Sequence, residues 1–98
     1  MTKSFIQEEL LMAINVRVEG IEEAEHPFYI VRYIVEEDGN ELINSVARFA
    51  ILPKGKTVQF LEPDMRKMLT TKAEPPIQPI VDQLVRETVE DYLNKNEG

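Results

Sequence analysis

The side chains that most often carry out chemistry are scarce in this chain of 98 residues, which contains a single histidine, His26. Glu22, Glu23 and Glu25 precede it, and the Glu-x-x-His spacing of Glu23 and His26 is one that carboxylate-bridged metal sites use in pairs. This sequence offers one copy of the spacing and no second histidine. We therefore interpret the cluster as a solvated acidic loop and expect neither a bound metal ion nor another cofactor.

Other common catalytic arrangements lack essential residues in this sequence. The chain contains no cysteine, which removes thiolate catalysis and cysteine-ligated zinc. No serine lies in a Gly-x-Ser-x-Gly turn, and the four glycines form no phosphate-binding loop. A general base at His26 would need a pocket and an orienting group, whereas its place before Pro27 indicates the start of a strand. We therefore expect a protein that is not an enzyme.

The chain is acidic, with a formal net charge of −7 and a sequence pI near 4.7. Proteins that bind the phosphate backbone rely on clustered lysine and arginine, so this balance argues against a nucleic-acid partner. Residues 54–72 hold five cations and two acids, a composition typical of a mixed surface. A contact for an acidic protein partner, including a second copy, is the alternative.

The sequence predicts no membrane segment. The longest uninterrupted apolar run covers residues 10–14, far fewer than a bilayer-spanning helix needs. The first nine residues lack the cationic start and long apolar stretch of a secretory signal peptide. We expect a cytoplasmic protein without a membrane partner.

Hydrophobic periodicity predicts four strands, at residues 10–19, 28–36, 41–52 and 57–61. Asp38-Gly39 supplies the positive-φ positions of a tight turn between the second and third strands. Residues 19–27 are predicted to form a loop, because four glutamates lie there with a glycine and a proline. We expect the first nine residues to be flexible or to form a short helix. Residues 4–13 fit a helix as well as a strand, so that choice stays open.

Two helices are predicted after the strands. A short one begins near Pro63, and a long amphipathic helix begins at Ile77, with residues 94–98 frayed. We expect four apolar side chains to be deeply buried: Phe49, Ile80, Leu84 and Val89. The predicted fold is therefore a single α+β domain over residues 1–98. It consists of a four-stranded, mostly antiparallel meander sheet, followed by a short helix and a long C-terminal amphipathic helix packed on one sheet face.

The hairpin of residues 28–52 is apolar on both faces of its first strand, and the long helix can cover only one of them. With a two-residue turn, positions that sum to 77 pair across the hairpin, and a bulge would slip this register by one. One face then carries the candidate interface or ligand residues: Tyr29, Val31, Tyr33, Val35, Leu42, Val46 and Arg48.

We expect this second face to be buried against a partner, most simply another copy in a dimer. The predicted function is a non-enzymatic protein–protein interaction or regulatory module that acts as a small homo-oligomer. In one alternative, the N-terminal segment folds over that face. In another, the chain binds a small molecule in a pocket between helix and sheet, lined by Tyr29, Tyr33 and Arg48 or by their counterparts on the opposite face.

Overall fold

The computed structural model describes residues 13–97, and these residues have the predicted fold class. The strands run in the order β1-β2-β3-β4 as one antiparallel meander sheet, which two helices follow. The elements are β1 (Ile14–Glu25), β2 (Phe28–Glu37), β3 (Asn40–Leu52), β4 (Gly55–Phe60), α1 (Glu62–Thr70) and α2 (Ile77–Glu97). The choice between helix and strand for residues 4–13 falls almost wholly outside the described residues.

Strand β1 continues through most of the segment that the sequence predicts as a loop. Only His26 and Pro27 form the turn before β2. The β1–β2 register shifts twice, between Val18 and Gly20 and between Ile21 and Glu23, and Gly20 has a φ of 143°. Each irregularity interrupts the apolar–polar alternation without ending the strand, so the prediction of a loop over residues 19–25 is wrong.

The β2–β3 hairpin begins with the predicted turn and then changes register. Asp38 and Gly39 have positive φ angles of 52° and 83°, and Glu37 pairs with Asn40. Leu42 is then an extra residue in β3, because the next partners are Glu36 with Glu41 and Val35 with Ile43. Beyond this bulge every pair sums to 78 instead of 77, so the predicted grouping of side chains into faces is wrong for the body of the hairpin.

The core lies between one sheet face and α2. Its fully buried strand residues are Val31, Tyr33, Val35 and Phe49. They pack against a row of helix residues at every fourth position: Ile77, Val81, Val85 and Val89. Phe49 and Val89 are buried as predicted, whereas Ile80 and Leu84 are only half-buried because they lie beside this narrow row.

The helix ends follow simple electrostatic and backbone rules. Pro63 lies in the first turn of α1 with Glu62 and Asp64, where acidic side chains oppose the positive end of the helix dipole. At the other end, the Thr71 amide donates a hydrogen bond to the Lys67 carbonyl at 3.1 Å. α2 remains helical through residues 94–97, which we expected to fray. Over the described part of the chain, neither helix has the length and apolar character needed to cross a bilayer.

Candidate interaction surface

The structure divides the predicted interface residues between the two faces of the sheet. Four of them lie beneath the helices and are almost completely buried: Tyr29, Val31, Tyr33 and Val35. These four side chains are therefore not accessible to a partner, because α2 packs on the sheet face that carries them. Val46 and Arg48 lie on the opposite face, and Leu42 itself is half-buried at the bulge.

We call that opposite side the outer face. Its apolar centre consists of Phe28, Ile30 and Ile34 from β2 with Val46 and Ala50 from β3. None of these five side chains belongs to the core cluster, which holds the buried residues of both helices. Ile34 and Ala50 are buried, while Phe28, Ile30 and Val46 keep part of their surface exposed. Both described helices therefore cover one side of the sheet and leave these apolar groups on the other.

Arg48 projects from the outer face in a fixed orientation. Its guanidinium carbon lies 4.4 Å from the centroid of the Phe28 ring, within the range of a cation–π contact. Its Nε donates a hydrogen bond to the Gln59 side-chain oxygen at 2.7 Å. Within residues 13–97, Arg48 makes no ion pair, whereas the other four arginines each have a carboxylate partner. Its terminal nitrogens are thus positioned to donate to an anion.

Ion pairs surround the apolar centre towards β1. Arg17 contacts Glu19 at 3.0 Å and Glu36 at 3.1 Å, and Arg32 pairs with Glu22. Hydrogen bonds from Arg17, and then from Asn15, lower the pKa of the Glu36 carboxyl. These side chains are largely solvated, so each pair contributes little to stability. Arg17 and Glu36 place charges of both signs towards one end of the outer face, while Arg32 lies on β2 between Ile30 and Ile34.

A shallow groove of about 310 Å³ lies on the outer face between β2, β3 and β4. Its walls include Ile30, Val46 and the exposed Leu61, with Arg48 and Gln59 as the polar groups. The groove thus combines an apolar floor with a cation that makes no ion pair within residues 13–97.

The alternative ligand pocket does not form as predicted. Tyr29 and Tyr33 lie in the core, and Arg48 lies on the other side of the sheet, so these three side chains do not converge. A larger open cleft of about 660 Å³ lies between the end of β1 and the end of α2. Its walls combine Glu22, Glu23 and Asp91 with Lys95.

Two side chains could act as an acid or a base, His26 and Tyr33, and both have surroundings typical of structural residues. His26 is exposed, and its Nδ1 lies 2.9 Å from the Tyr29 hydroxyl. Burial raises the pKa of the Tyr33 hydroxyl, and the nearby negative charge of Asp64 raises it further. A core hydroxyl without solvent access cannot reach a substrate. In the portion that the structure describes, no three histidine or acidic side chains are arranged to hold a metal ion.

The sequence contains a signal for the correct faces that the predicted register ignores. In the observed register Arg32, Asn44 and Arg48 all lie on the outer face, and only Ser45 among the polar residues of the hairpin body lies on the core side. The assumed register put one arginine on each face. Gathering both arginines on one face would have identified Phe28 and Ile30, which the prediction missed.

Comparisons of this chain with protein-family models, with curated proteins and with solved structures gave no match.

Proposed function

We propose that this chain is a non-catalytic interaction module that works as a homodimer through the outer face of its sheet. One observation carries the proposal: Phe28, Ile30 and Val46 keep apolar surface exposed on a face opposite both described helices. Contiguous apolar surface with a charged margin is typical of protein–protein contact sites. Moving each half-exposed aliphatic or aromatic side chain into an interface contributes on the order of 1 kcal/mol.

A second copy is the partner that the charges favour. The outer face carries Arg17, Arg32 and Arg48 together with the acids of β1 and the end of β2. A surface with both signs can be complementary to itself, as a twofold contact requires. Four strands about 4.8 Å apart and about ten residues long give a projected face of about 600 Å². Because side chains project from the plane of the sheet, the accessible area is larger than this and approaches the ~800 Å² per partner of a standard interface.

Light scattering after size-exclusion chromatography tests the proposal on the full chain. We expect a mass of twice 11.3 kDa at tens of micromolar. Ile30→Glu introduces a charge at the centre of the outer face and should return the chain to a monomer. Leu69→Glu, at a position 69% exposed on α1, is the matched control and should leave the dimer intact.

Two results would refute this proposal. A single 11.3 kDa species at submillimolar concentration would leave the outer face to residues 1–12 or to a different partner. A dimer that survives Ile30→Glu but dissociates with Leu69→Glu would place the contact on the helical side instead.

A further inference from the structure

One lateral row of the sheet has an ordered arrangement of charge. Glu23 on β1 pairs in register with Ile30 on β2, Ile30 with Arg48 on β3, and Arg48 with Gln59 on β4. The row therefore places an acid, an apolar residue, a cation and an amide on successive strands. Since neighbouring strands are about 4.8 Å apart, the acid and the cation are about 10 Å apart on either side of Ile30.

Symmetry restricts how two such rows can meet. When identical sheet faces pack together, the twofold axis lies in the plane between them. If the axis is parallel to the strands and lies over β2, then β1 of one copy faces β3 of the other. Glu23 then lies opposite the partner's Arg48, and this contact occurs twice. Ile30 meets the partner's Ile30 between the two contacts.

The other positions of the axis give poorer contacts. An axis over β3 places Arg48 opposite the partner's Arg48. An axis between β2 and β3 places Arg48 on the partner's Ile30 and Glu23 on the partner's Gln59, so both charges lose water without gaining an opposite charge. An axis perpendicular to the strands along this row superimposes like charges. The position over β2 is the one that pairs opposite charges around an apolar centre.

Local contacts orient Arg48 for this role, and Glu23 is left without a competing ion pair among the described residues. The Phe28 ring and Gln59 hold the Arg48 guanidinium in place, which lowers the entropy lost on binding a carboxylate. Glu23 lies on the edge strand, where it borders the cleft beside α2 and, by its pairing with Ile30, the outer face. It is exposed and makes no hydrogen bond or ion pair with the other described residues. Arg32, one row away on β2, also lies on this axis and faces the partner's Arg32. Each Arg32 carries its own acidic partner Glu22, whereas Arg48 makes no ion pair within residues 13–97, so the axis over β2 brings two ion pairs together and the axis over β3 would bring two unpaired cations together.

We infer that the dimer packs with β2 over β2, held by two reciprocal ion pairs between Glu23 and the partner's Arg48. This inference rests on the proposed dimer and specifies its geometry. It predicts that the two positions are coupled between copies, although they lie on non-adjacent strands of one chain.

Charge reversal and rescue test the inference by sedimentation equilibrium. Arg48→Glu and Glu23→Arg each create two like-charge contacts per dimer. Each such contact should raise Kd about tenfold, so each variant should raise Kd about 100-fold. The double variant restores opposite charges and should return Kd to within about tenfold of the parent value. Arg66→Glu on α1 is the control, because it has the same charge change as Arg48→Glu and should leave Kd nearly unchanged. Far-UV circular dichroism identifies any variant that fails to fold, and Arg48→Gln then replaces Arg48→Glu, with an expected rise of about tenfold.

The outcomes separate the inference from the proposed dimer. A parent chain that stays monomeric overturns both. A parent dimer that tolerates Arg48→Glu overturns the ion pair alone. A dimer that each reversal weakens, but that the double variant does not rescue, also overturns the reciprocal contact and leaves the outer-face dimer in place.

Discussion

Replacing Tyr33 by phenylalanine should stabilise this protein. The Tyr33 side chain is fully buried, and its hydroxyl has no hydrogen-bond partner among the described residues. Leaving a hydroxyl buried and unpaired costs about 1–3 kcal/mol. Tyr33→Phe removes that penalty and leaves a void smaller than a water molecule, which costs a few tenths of a kcal/mol. We expect a net gain of about 1 kcal/mol, equivalent to about 5 °C in Tm for a domain of this size.

Thermal and urea unfolding followed by far-UV circular dichroism measure this gain. Tyr92→Phe is the matched control, because that side chain is 37% exposed and its change should stay within about 0.5 kcal/mol. Tyr29→Phe removes the hydroxyl that lies 2.9 Å from His26 Nδ1 and should destabilise by about 0.5–1 kcal/mol. If Tyr33→Phe destabilises by more than about 1 kcal/mol, the hydroxyl has a partner and the reasoning fails.

The same substitution should change the alkaline limit of stability. Burial raises the pKa of the Tyr33 hydroxyl, so the folded state holds this proton more tightly than the unfolded state. The resulting stability is fully present below the unfolded pKa near ~10 and declines as pH rises above it. The parent chain should therefore lose stability more steeply than Tyr33→Phe above this pH. Parallel slopes in urea titrations at increasing pH would contradict the assignment.

Two further predictions concern the helix and the charged margin. Val85→Asp should abolish cooperative thermal unfolding, because Val85 is fully buried against the sheet. Leu84→Asp, at a half-buried position, should retain a cooperative transition at lower temperature. Equal effects of the two substitutions would contradict the observed helix face. Hydrogen bonding by Arg17 lowers the pKa of Glu36, so NMR titration should show a pKa below that of a free glutamate, and Arg17→Gln should raise it. The small stability that this pair contributes should be lost as pH falls through the folded-state pKa. An unchanged Glu36 titration in Arg17→Gln would refute the contact.

The sequence was sufficient where one periodicity persists along an element. The continuous apolar run after Pro27 predicted β2 because a strand that is apolar on both faces shows no alternation. The 3.6-residue repeat after Ile77 predicted α2 because burial of one helix face requires that spacing. β1 was predicted too short for the opposite reason. Two register shifts and Gly20 break its alternation, and an edge strand accepts the glutamates that resemble a loop.

The candidate surface depended on one residue that local patterns do not identify. The turn at Asp38-Gly39 was predicted with the correct pairing of Glu37 and Asn40, but the bulge at Leu42 lies beyond it. The residues of the turn determine the first pair of a hairpin. The packing of both strands against α2 determines whether a later residue stays unpaired and forms a bulge. That second condition is tertiary, so Val46 and Arg48 of β3 were grouped with the wrong side chains of β2.

The bulge at Leu42 also connects the stability of the fold to the surface left for a partner. Without it, a helix on one face would cover Arg48 and Asn44, and a helix on the other would cover Arg32. An arginine buried without a carboxylate costs several kcal/mol, far more than one unpaired backbone position in an edge-proximal bulge. With Leu42 as an extra, unpaired residue, both arginines lie on the outer face. The hairpin surface beneath α2 is then apolar except for Ser45, whose hydroxyl donates a hydrogen bond to Asp64 at 2.5 Å. The register that forms the best core is therefore the one that places Phe28, Ile30 and the two arginines together, and this is the surface through which we propose that two copies meet.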